Sequence, residues 1–126
     1  MFAGLDSLEY LGLGDAGISH LPLGVFNGLN SLEALSLLKN QFEAIPSESL
    51  QNLNKLNWLT LSYNKFSSVS RDDLSGLDGL KGLFLDHNAI TRLEAGTFKD
   101  LAILERLDLS NNPITCKCFI SACARW

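Results

Sequence analysis

Leu56-Asn57-Trp58-Leu59-Thr60-Leu61-Ser62-Tyr63-Asn64-Lys65-Phe66 is the stretch that decides the fold. Leucines stand at its first, fourth and sixth positions, an Asn at the ninth and an apolar residue at the eleventh. Stepping by 24 residues in either direction finds the same letters. Leu8, Leu32, Leu80 and Leu104 fill the first position, Leu11, Leu35, Leu83 and Leu107 the fourth, and Leu13, Leu37, Leu85 and Leu109 the sixth. The ninth holds Asn40, Asn88 and Asn112, with Ala16 in the first turn, and the eleventh holds Ile18, Phe42, Ile90 and Ile114. The frame runs on through Leu21, Ile45, Val69 and Leu93, then Phe26, Leu50, Leu74 and Phe98, then Leu29, Leu53, Leu77 and Leu101. The chain holds 26 leucines in 126 residues, most of them on this period, against six isoleucines and two valines.

Self-similarity at such a spacing is the mark of the leucine-rich repeat, L-x-x-L-x-L-x-x-N-x-L. All apolar positions of one turn point to a common axis, so a single turn cannot bury them and only stacking can. The L-x-L alternation predicts one short strand per turn, over 10–12, 34–36, 58–60, 82–84 and 106–108. The expected fold is α/β: a curved right-handed solenoid with a parallel sheet on its concave face. The Asn column is expected to satisfy loop backbone that would otherwise be buried without partners. Residues 1–7 read as part of a repeat with no N-terminal cap, the array as 1–111, and 112–126 as a short tail. Leu8, Leu11, Leu13 and Ile18 are then expected to face water on their outer side.

Ten Lys and Arg against fourteen Asp and Glu leave a formal charge of −4, a balance that gives no pull toward phosphate backbones. Nucleic acid is not an expected partner. No run of 18 apolar residues exists to span a membrane, and Asp6, Glu9 and Asp15 stand where a secretion signal would be apolar.

The 24-residue repeat, with Pro22 and Pro46 after the Leu21/Ile45 position and Phe26 and Phe98 further on, resembles the extracellular class of leucine-rich repeat found in Toll-like receptor ectodomains and the variable lymphocyte receptors of jawless vertebrates. Asn112-Pro113-Ile114-Thr115-Cys116-Lys117-Cys118, followed by Trp126, is similar to the opening of their cysteine-rich C-terminal cap. The resemblance implies a secreted or extracellular chain and a short C-terminal helix over 119–125. It also makes Cys116, Cys118 and Cys123 the disulfide candidates. Three thiols cannot all pair within one chain, so one stays free or bonds another chain.

Chemistry motifs are sparse. Gly12-Leu13-Gly14-Asp15-Ala16-Gly17 satisfies G-x-G-x-x-G with Glu33 beyond it, but a dinucleotide site needs a helix to open there, and Ile18, Leu21 and Pro22 continue the repeat instead. His20 and His87 stand far apart and no C-x-x-C or H-x-x-x-H seats a metal. No cofactor, metal or catalytic residue is expected, and the chain does not read as an enzyme. No Asn begins an N-x-Ser/Thr sequon, so no N-linked sugar is expected to cover the sheet.

Function must then lie in the concave positions, which the core leaves unconstrained. Across five turns these hold Glu9, Asp15, Glu33, Asp86, Glu105 and Asp108 against Lys39, Lys81 and Arg106, six acids to three bases. Tyr10, Leu38, Trp58, Tyr63 and Phe84 form an apolar and aromatic band, with Lys39, Thr60, Asp86, His87, Arg106 and Asp108 around it. Trp and Tyr inside a charged rim is the composition of a binding hot spot. Gly82 and Ser62 are expected to project from the same face. The expected ligand is a protein or glycan of a microbial surface, recognised by an immune module, and a second copy of the chain is a possible occupant. The alternative is an adhesion or matrix repeat protein holding one host partner.

Overall fold

The computed structural model describes residues 5–94 and 96–114. The expected C-terminal helix, Cys116, Cys118, Cys123 and Trp126 lie outside them. Five three-residue strands stack in one parallel sheet: β1 (Tyr10–Gly12), β2 (Ala34–Ser36), β3 (Trp58–Thr60), β5 (Gly82–Phe84) and β7 (Arg106–Asp108). These are the bounds the L-x-L alternation predicts. The register holds every residue opposite its equivalent 24 positions on, so Leu11, Leu35, Leu59, Leu83 and Leu107 form one row. Leu35, Leu59 and Leu83 are fully buried, while Leu11 and Leu107 in the outermost strands are only partly covered.

One contiguous core runs the length of the solenoid and takes in the leucine columns, Phe42, Phe66 and Ile90. Leu8, Leu11, Leu13 and Ile18 pack against it and are only partly buried. Each coil contributes few contacts of its own, so this burial belongs to neighbours jointly.

The Asn column does what its chemistry allows. Asn64 Nδ2 donates to the carbonyls of Leu37 and Leu61, both at 3.0 Å, and its Oδ1 accepts the Phe42 N–H at 3.1 Å. Asn40, Asn88 and Asn112 repeat the arrangement, so Leu37, Leu61 and Leu85 each have a carbonyl reached by two asparagines. Buried backbone that curves too tightly for a ladder is thereby kept paired.

The opposite side is irregular. It carries one helical turn, α1 (Ser47–Leu50), which begins after Pro46, and a 3₁₀ turn over Asp72–Leu74. A second, two-stranded parallel sheet joins β4 (Ser68–Val69) to β6 (Arg92–Leu93). That sheet was not legible in the repeat. Among the described residues it joins only the third and fourth coils: Pro46 of the second coil has no N–H to offer the first, and the Ser70 N–H of the third donates to Asp73 Oδ2 rather than to the second. Among the described residues no helix is long and apolar enough to cross a membrane.

Candidate functional site

Two rows of side chains leave the outer face of the sheet. Tyr10, Ala34, Trp58, Gly82 and Arg106 form one, and Gly12, Ser36, Thr60, Phe84 and Asp108 the other. Trp58 therefore sits between two small residues, and it lies down on one of them. A Cβ on Gly82 would fall 2.6 Å from Cε3 of the indole. Gly82, expected on the surface, is buried under that ring. Phe84, diagonal to Trp58 on the next strand, meets it with centroids 5.0 Å apart and planes tilted by 46°. Trp58 still keeps 36% of its surface in water, so the sheet presents a wide apolar step rather than a closed pocket.

A second aromatic pair stands at the edge of the sheet. Tyr63 and His87 stack with centroids 4.2 Å apart and planes within 7°. Lys39 Nζ lies 5.5 Å from the Tyr63 ring centre, close enough for a cation–π contact. These three residues share a backbone feature that sequence reading missed. Asp15, Lys39, Tyr63, His87 and Asn111 all have left-handed φ, between 55° and 60°. The turn enforces it: Lys39 N–H donates to Ser62 C=O and Tyr63 N–H to Asp86 C=O, and so on along the column. Asp, Asn and His at these positions were a legible hint, since their side chains tolerate this region; Lys and Tyr give none.

Asp86 stands beside the second pair. Its Oδ1 accepts the Ser62 hydroxyl and its Oδ2 is 2.8 Å from His87 Nδ1. Burial works against the charged form, but the hydrogen bonds from Ser62 and His87 outweigh it and hold the carboxyl below the usual aspartate range. Ser62, expected to project, is instead buried with its hydroxyl committed to this carboxylate. The bond to Asp86 also turns the His87 ring so that Nε2 is the nitrogen left for a partner.

The band read from sequence thus resolves into separate units. Trp58 with Phe84, and Tyr63 with His87 and Lys39, are brought together. Tyr10, 62% exposed, folds along its own strand over Gly12, and Leu38 is half-buried against the Gly14 backbone of the preceding coil. Thr60 lies between Ser36 and Phe84 in the register. Asp108 accepts the Ser110 N–H and hydroxyl, and Arg106 is exposed at the last strand. Gly12 ends a strand and no helix opens at Gly17, so the glycine motif builds no phosphate cradle. No group of three or more His, Cys, Asp or Glu able to hold a metal occurs among the described residues.

Comparison with known proteins places this geometry. A family model described as leucine rich repeat matches residues 31–90 and 78–117. The leucine-rich repeat domain of APL1B superimposes with a TM-score of 0.79 at 26% identity, over 86% of this chain and 32% of that one. An internalin C2 from Listeria monocytogenes gives 0.71 at 28%, over 91% and 47%. A leucine-rich-repeat protein of Leptospira interrogans gives 0.74 at 36%, over 88% and 27%. The chain therefore spans between about a quarter and a half of the length of these structures. No curated protein matches it.

Proposed function

The chain belongs to the leucine-rich repeat family, typically one of non-enzymatic protein-binding modules, and on that premise we propose that it recognises a protein ligand on its concave sheet, centred on Trp58, as an extracellular immune module for microbial surfaces. The observation that carries this reading is the Trp58–Phe84 step, which is exposed, apolar and fixed in place by Gly82. The part of the indole left bare gains nothing from contact with water, whereas a partner that covers it removes that apolar area from solvent. The surplus of acids around the step suits a ligand whose contact surface carries Lys or Arg.

Adhesion to a single host protein is the second reading. Cys116, Cys118 and Cys123 belong to the same extracellular proposal, as does pairing of two copies through an odd thiol or the sheet.

Retention on an immobilised panel of microbial surface proteins and host extracellular proteins tests the proposal, with wild type beside Trp58→Ala. Binding to several microbial proteins that Trp58→Ala weakens by about 30-fold, roughly 2 kcal/mol, supports immune recognition. Capture of one host protein supports adhesion. Binding untouched by Trp58→Ala removes the sheet from the account.

A further inference from the structure

A cleft of about 640 Å³ opens on the flank of the solenoid, away from the sheet, between the first and second coils. Its floor includes the buried rings and methyls of Phe42 and Ile45, and its lip includes Leu23, 78% exposed, the barest large apolar side chain among the described residues. A size of several hundred Å³ is that of sites that enclose a ligand segment.

The cleft is also rimmed by backbone that has no partner. The coils start together, Gln41 N–H donating to Ile18 C=O at 2.8 Å, and then part. In the third and fourth coils the equivalent residues go on to pair as β4 and β6, but Ala44–Ile45 pairs neither with His20–Leu21 nor with Ser68–Val69. Among the described residues the N–H and C=O groups of His20, Leu21, Glu43 and Ala44 make no hydrogen bond. Pro46 has no N–H to cross to the first coil, and the Ser70 N–H donates to Asp73 Oδ2 rather than to the second coil, so the second sheet does not extend here.

Charge completes the description. Glu43 and Glu48 line the cleft, and the described residues around it include no Lys or Arg. We infer that this cleft is a second interaction site, distinct from the concave sheet, that takes an extended peptide of alternating basic and apolar side chains. The peptide backbone hydrogen-bonds to the open groups at 20–21 and 43–44, as added strands do at free edges. Alternate side chains then point to opposite sides. Apolar ones cover Phe42, Ile45 and Leu23, and basic ones meet Glu43 and Glu48.

The test is an ¹⁵N-detected titration of the full chain with a capped hexapeptide alternating arginine and leucine, beside a control alternating glutamate and leucine. Saturable shifts in the amides of His20, Leu21, Glu43 and Ala44 with the basic peptide, at least tenfold weaker with the acidic one, support the site. A Glu43→Lys/Glu48→Lys variant, altered at exposed carboxylates and checked for folding by the same spectrum, reverses that preference. Leu23→Ser weakens binding of the basic peptide severalfold. Absence of saturation at millimolar peptide, equal binding of both peptides, or shifts centred on the Trp58 indole N–H instead would overturn the inference. The concave sheet is untouched by these substitutions, so failure here leaves its role standing.

Discussion

The six-membered ring of Trp58 rests on the backbone of Gly82: a Cβ built on that glycine would lie 2.6 Å from Cε3, 2.7 Å from Cζ3 and 2.9 Å from Cδ2. No side chain can be added there unless the indole lifts. The largest ring on the sheet and the smallest residue in its row are one structural unit.

Gly82→Ala is therefore expected to cost about 1 to 3 kcal/mol of stability and to displace the indole. Near-ultraviolet circular dichroism of the Trp bands and urea unfolding read the two effects. In a Trp58→Ala background the same substitution is expected to cost much less, so the pair is non-additive. Equal costs in both backgrounds would mean the ring and the glycine are independent.

Asn64 is nearly buried and serves carbonyls on two coils and the Phe42 N–H. Asn64→Leu keeps the heavy-atom branching but strands those backbone groups away from water. A loss of at least about 2 kcal/mol by urea unfolding is expected. Asn112→Leu, at a more exposed end of the same column, is expected to cost less.

Lys39 offers an inversion of the usual ranking. Glycine is normally the more costly replacement in ordered structure, but φ here is 55°. Lys39→Gly is expected to be more stable than Lys39→Ala by about 1 kcal/mol, measured by thermal or urea unfolding, because only glycine enters that region without a Cβ clash.

Asp86 ties stability to pH. Its folded value is depressed, so its contribution is fully present above the unfolded aspartate value and is lost as pH falls through the lower folded one. Asp86→Asn is expected to destabilise by about 1 kcal/mol at pH 7. The gap to wild type should begin to close below about pH 4 and disappear once the folded carboxyl is protonated. A gap that stays constant down to pH 2 would show that the charge of Asp86 contributes nothing.

What the linear order of residues determined is the solenoid itself. Leucines at the first, fourth and sixth positions of a 24-residue frame leave one way to bury them, by stacking equivalent turns in register, so strand bounds, sheet order and the Asn column were all legible. Every one of those features depends on a residue and its own copy one period away. What only the tertiary structure decided depends on residues that differ between copies. Trp58 settles onto Gly82 because that neighbour lacks a side chain, and Ser62 turns inward because Asp86 stands on the next coil to accept its hydroxyl. The cleft between the first two coils lies where the strand pairing of the third and fourth coils is not continued. A period reports what neighbours share; a surface is made by what they do not, and those contacts exist only once the coils are stacked.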